Sequence, residues 1–111
     1  MGAMGEEQKQ EAEEVVGIGI FQAAEQGHSA AQHMMGLMCY QGQRVPQDYV
    51  EAHMWLELAA SRASGDDQKR YADARDLVAK KMTPQQIAEA QRRAREWKPK
   101  VGEDKGAGPI K

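Results

Sequence analysis

The stretch SAAQHMMGLMCYQGQRVPQDYVEAHMWLELAASR, Ser29 to Arg62, decides the fold. In its first half Ala31, Met35, Met38 and Cys39 recur at i, i+4, i+7 and i+8, which is one face of an α-helix. Its second half repeats the pattern with Ala52, Trp55, Leu56 and Ala59 at i, i+3, i+4 and i+7. Gly42 and Pro46 break the periodicity between them, so Gln41 to Gln47 reads as a short loop. Each helix has a start signal. Ser29 with Gln32 has capping-box spacing, with His28 as the alternative cap, and Asp48 offers an N-cap with Glu51 in the third helical position.

Working outward, Glu6 to Gln26 contains no Pro and places Val16, Ile20, Ala23 and Ala24 on one face, a first helix that Gly27 stops. Gly17 and Gly19 interrupt it, each at a cost of about 1 kcal/mol relative to Ala, so they either permit close packing or weaken this end. Downstream, Ser61 to Asp67 breaks the pattern, after which Tyr71, Ala74, Leu77 and Val78 mark a fourth helix. Thr83-Pro84-Gln85-Gln86 then combines a Thr N-cap, Pro at the first helical position and Gln in the third. A fifth helix follows with Ile87, Ala90, Ala94 and Trp97 inward. Residues 99–111 hold three Gly, two Pro and almost nothing to bury, and are expected to be a disordered tail. Residues 1–5 read as a vector remnant rather than a signal sequence. No segment alternates with period two, so residues 6–98 are expected to form one all-α domain of about five helices.

Charge and composition narrow the function. The chain of 111 residues carries 15 Lys and Arg against 17 Asp and Glu, a net −2 that supplies no basic field for nucleic acid. The ends differ: residues 1–14 hold five Glu against one Lys, and residues 91–111 hold seven basic groups against three acidic ones, most simply solvated faces. The longest apolar runs, Val15 to Phe21 and Met34 to Tyr40, fall far short of the ~20 residues of a membrane-spanning helix. The lone Cys39 excludes an intramolecular disulfide and leaves cytoplasmic and periplasmic compartments both open.

Sliding the chain against itself by 36 residues superposes Val16 on Ala52, Ile18 on Met54, Ile20 on Leu56, Ala23 on Ala59 and Ala24 on Ala60, the offset of a helix-pair repeat. The residues Ala23-Ala24-Glu25-Gln26-Gly27, Ala31-Gln32, Met35-Gly36, Tyr40, Gly42, Val45-Pro46-Gln47-Asp48-Tyr49, Ala52, Trp55 and Ala59-Ala60 resemble one complete Sel-1-like repeat, a relative of the tetratricopeptide repeat, over residues 16–63. The small residues Ala31, Gly36, Ala52, Ala59 and Ala60 let antiparallel helices approach, while Trp55 and Tyr40 fill the wider gaps. Two departures stand out: Arg44 replaces the usual Gly of a Gly-x-Gly turn, and Gly19 occupies the position equivalent to Trp55. Met82-Thr83-Pro84 to Trp97 resembles the helix pair that closes bacterial members of the family. The resemblance implies a short right-handed α-α superhelix of antiparallel pairs and a bacterial adaptor or assembly role. One full unit, a preceding helix and a closing pair fall short of the roughly three repeats a free-standing solenoid needs, which keeps a homodimer or a segment of a longer solenoid in view.

No paired-glycine phosphate loop, His-Glu-x-x-His, Cys-x-x-Cys or Gly-x-Ser-x-Gly is present, so neither an enzyme nor a bound cofactor is expected. His33, Met34, Met35, Met38 and Cys39 form a soft-ligand cluster suited to Cu(I), yet Met35, Met38 and Cys39 coincide with the core stripe, where Met fills gaps and Cys acts as a small hydrophobe. His28, His33 and His53 share no pattern and read as surface or capping residues, and Glu51, Glu57, Asp73 and Asp76 as solvated faces. By analogy with tetratricopeptide solenoids the first helix of each pair lines the concave side. On the second helix the positions off the core stripe are Ala30, His33, Met34, Leu37 and Gln41. His33, Met34, Leu37 and Gln41 are therefore the candidate contacts for a partner protein or peptide, unless the C-terminal helices fold over this face.

Overall fold

The computed structural model describes residues 19–100, and every regular element among them is helical. Helix α1 is described over residues 19–25, followed by α2 (Ser29–Gln41), α3 (Tyr49–Arg62), α4 (Gly65–Ala79) and α5 (Pro84–Glu96). The expected upstream turns of α1, the remnant at residues 1–5 and residues 101–111 of the expected tail lie outside the described residues.

α1 stops where the sequence predicts, with Gly27 at φ +102°. The start of α2 differs from the capping-box expectation. His28 is the N-cap and its side chain accepts no cap bond, while the Gln32 side chain is fully buried and its Nε2 donates to the Ala24 carbonyl at 3.2 Å. Gln32 thus gives the Ala24 carbonyl at the end of α1 a second donor, beside Gly27 N–H at 3.1 Å.

The loop after α2 satisfies the last carbonyls of that helix in turn. Gly42 is left-handed (φ 73°) and its N–H donates to Met38 O at 2.8 Å, Asp48 N–H to Cys39 O at 2.9 Å, and Gln47 Nε2 to Tyr40 O at 3.0 Å. Arg44 sits at φ 67°, the single non-Gly residue with positive φ among the described residues. The left-handed region costs a side-chain-bearing residue about 1–2 kcal/mol. Arg44→Gly is accordingly expected to raise stability by up to about 1 kcal/mol after the extra entropy of an unfolded glycine is subtracted, read as a higher urea midpoint at unchanged m-value.

Asp48 caps α3 by accepting from Glu51 N–H at 3.0 Å. This helix is the centre of the molecule: it packs against α2, α4 and α5, and eight of its 14 residues are buried. Ala52, Trp55, Leu56 and Ala59 are buried as the stripe predicts, and so are His53, Met54, Leu58 and Ala60 around it. A helix enclosed on three sides has no polar face to reveal by periodicity.

α4 begins at Gly65, inside the segment expected to be a break. Gly65 supplies φ 62° for the tight connection, Asp66 and Asp67 complement the positive end of the helix dipole, and Gln68 Nε2 donates to Ala60 O at 3.1 Å. α5 starts with the predicted capping box, both of its hydrogen bonds formed, and buries Ala90 with Ile87, Ala94 and Trp97 half-buried. Trp97 meets Trp55 edge to face at 6.1 Å, and the Arg62 guanidinium lies 5.2 Å from the Trp97 ring centre. The chain then runs to Lys100, whose N–H donates to Glu25 O at 2.7 Å and whose Nζ lies 3.1 Å from Glu25 Oε2. Pro99 and Lys100, the first residues of the expected tail, therefore strap the end of α5 to the end of α1.

Candidate functional site

α2 and α4 both pack on α3 and leave a groove of about 360 Å³ between them. Leu37 and Tyr40 form its α2 wall, and Ala74, Leu77 and Val78 its α4 wall. Lys80 and Lys81, immediately after α4, border its end. Val78 is buried at 2 % exposure while its neighbour Leu77 is 59 % exposed. Both belong to the apolar periodicity that marks this helix in the sequence, but adjacent residues point about 100° apart and only Val78 reaches the core.

The four candidate contacts fall in different environments. Met34 is 43 % exposed, one turn before Leu37 on the same helix face. Leu37 is half-buried in the groove wall, and Gln41 is exposed at the end of α2. His33 stacks on Tyr71 of α4 with ring centres 4.5 Å apart, which closes the other end of the α2–α4 seam, and Arg70 lies 5.5 Å from the Tyr71 ring centre. Burial first, and the Arg70 charge next, hold His33 below its ordinary pKa. Sequence reasoning missed the α4 wall and the lysines at its end, for which the only available signal was the adjacent pair Leu77-Val78.

His53 departs from the surface role expected of it. It is 3 % exposed, its Nδ1 has no partner among the described residues, and burial lowers its pKa below 6.5 against the opposing charge of Glu57. The fold therefore favours neutral His53, so its contribution is complete above the unfolded value and is lost as pH falls below it. His33 acts in the same direction. Melting temperature is expected to fall between pH 7.5 and 5.5, and His53→Gln to flatten that slope; an unchanged slope would place the titration elsewhere.

Met35, Met38 and Cys39 are core residues, 3 %, 9 % and 4 % exposed, whereas Met34 faces solvent. Burial, reinforced by the charges of Glu51 and Asp48, pushes the Cys39 thiol up to about 11 and keeps it in the protonated form that binds metal least. Among the described residues no three His, Cys, Asp or Glu side chains are grouped as a metal site, and no helix is long and apolar enough to cross a membrane.

α2, the left-handed turn at Gly42 and α3 coincide with a known family: the model of the Sel1 repeat matches residues 29–64. Residues 29–64 are thus similar to a Sel1 repeat. The match spans α2, the loop and α3 and ends at Ser64, so the groove is built from the first helix of the matched segment and the helix that follows that segment. No curated protein and no solved structure matches the chain.

Proposed function

We propose that this chain is a non-enzymatic adaptor that docks a partner protein or peptide in the groove between α2 and α4. Sel1 repeats mediate protein interactions, and the observation that selects this face is the exposure of Leu77 (59 %) in the groove wall and of Met34 (43 %) one turn before the wall residue Leu37 on α2. Large apolar side chains left in water on adjoining helices are the mark of a binding surface, and a flexible Met adapts to its occupant. His33 serves by holding Tyr71 and so the spacing of the two walls. The soft-metal alternative gains no support from sulfur atoms divided between core and solvent.

Selection of displayed random peptides on the intact protein tests this reading. Wild type is expected to enrich binders that Met34→Glu with Leu77→Glu loses, with the circular dichroism and melting temperature of the variant close to wild type because both positions are exposed. Binders retained by that variant would remove the groove as the site.

A further inference from the structure

We infer that the occupant of the groove is a short linear segment pairing an apolar anchor with acidic residues, the anchor lying against Leu37, Leu77 and Val78 and the carboxylates meeting Lys80 and Lys81. This rests on the groove reading above and adds the chemistry of the partner to it.

Three observations carry the charge. First, among the described residues Lys80 and Lys81 are the only charged ones lining the groove, with no carboxylate beside them there. Second, no acidic group among the described residues lies within ion-pair distance of either lysine. Other cations are engaged, as where Arg75 meets Glu57 at 2.9 Å, Arg93 meets Glu51 at 2.9 Å and Arg92 bridges Glu89 and Glu96 at 2.7 Å each, whereas Lys80 and Lys81, like Arg44, Arg95 and Lys98, have no ion pair among the described residues. Third, this cationic edge belongs to a chain of net charge −2, so its field is local and reaches a ligand only when the ligand is seated beside it.

Lys80 and Lys81 also complement the negative end of the α4 dipole. That role accounts for basic residues after a helix and asks nothing about what they border. Their place at the mouth of an apolar groove is the additional fact, and it favours a ligand that is apolar where Leu77 is exposed and anionic one side chain further on. A nucleic acid would require a broad basic surface and aromatic stacking platforms, whereas the groove offers two lysines and one half-buried Tyr40. Peptide carboxylates fit that scale.

The selected peptides supply the test. The wild-type pool is expected to be enriched in Asp and Glu next to Leu, Ile, Met or Phe. Selection on Lys80→Glu with Lys81→Glu is expected to keep the apolar anchor and lose or invert the acidic bias. A synthetic peptide from the wild-type pool should bind that double variant at least roughly tenfold more weakly, and its Asn/Gln counterpart should bind wild type more weakly with little dependence on salt. A pool that depends on Leu77 but carries no acidic bias, or a bias indifferent to the lysine reversal, overturns this inference and leaves the groove standing. A pool untouched by Met34→Glu with Leu77→Glu overturns both.

Discussion

Gly36→Ala is expected to destabilise the protein by about 1–2 kcal/mol, although alanine is by about 1 kcal/mol the better helix former. An added Cβ at Gly36 would lie 2.6 Å from Leu56 Cγ and 2.8 Å from Leu56 Cδ2, closer than carbon atoms tolerate, with the Ala52 carbonyl oxygen at 3.2 Å on the other side. Leu56 is fully buried and has no open space to turn into, so α2 must lift off α3 or the side chain must leave its rotamer. Overpacking of this kind costs roughly 1–3 kcal/mol, and a 2.6 Å approach to a buried side chain belongs in the upper half of that range, so about 1–2 kcal/mol remains once the propensity gain is subtracted. At ~4–8 °C per kcal/mol for a domain of this size, the melting temperature should fall by about 5–15 °C. A double-mutant cycle assigns the cause. Leu56→Ala removes both close atoms, so Gly36→Ala should cost much less in that background and even stabilise. If the single substitution raises the melting temperature, the helices do not cross at this distance.

The same crossing shows which parts of the fold were legible. Gly36 stood out as small among apolar neighbours, and the capping residues Asp48 and Thr83 form the bonds that their spacing predicts, at 3.0 and 3.1 Å. These signals are local: a cap, a turn or a stripe is written within a few residues of where it acts. Arg44 belongs with them in part: its departure from Gly leaves either another turn conformation or a left-handed non-Gly residue, and the backbone takes the second, with φ 67°. Gly19 reads as either close packing or weakness, and with nothing among the described residues within 4 Å of an added Cβ it favours weakness. Helix pairs, their number and the antiparallel order follow from such cues alone.

What sequence reading missed depends on partners far along the chain. The first turn of α4 is Gly65-Asp66-Asp67-Gln68, which reads as a loop until the Ala60 carbonyl is seen to accept from Gln68. His53 looks like a surface histidine because nothing in its neighbours states that three helices surround α3. Lys100 and Glu25 are 75 residues apart, a pairing no window could contain. The candidate site divides in the same way. Its α2 wall was visible, since Met34 and Leu37 fall off the core stripe, while the α4 wall depends on the rotation that places Val78 inside and Leu77 outside.

Trp55→Ala carries the largest expected effect, a loss of about 3–5 kcal/mol. Small domains hold ~5–15 kcal/mol in all, so the variant should be largely unfolded near 40 °C or at modest urea concentration. The size follows from what the ring joins. Trp55 is 5 % exposed in the principal core cluster and meets Trp97 edge to face; Trp97 in turn carries the Arg62 guanidinium, which lies against Gly27 at the α1–α2 turn. Removing the Trp55 ring therefore leaves a cavity and also unseats the end of α5, and with it the Lys100–Glu25 strap. Trp97→Ala should cost less, because Trp97 is half-buried and the core beneath it stays filled. Trp55→Phe, which retains an aromatic ring, should fall between the two wild-type-like and unfolded limits. Urea unfolding followed by circular dichroism, with fluorescence of the remaining tryptophan in each variant, separates these outcomes. Equal losses for Trp55→Ala and Trp97→Ala would mean that the two rings stabilise only each other and that Trp55 does not anchor the helices around α3.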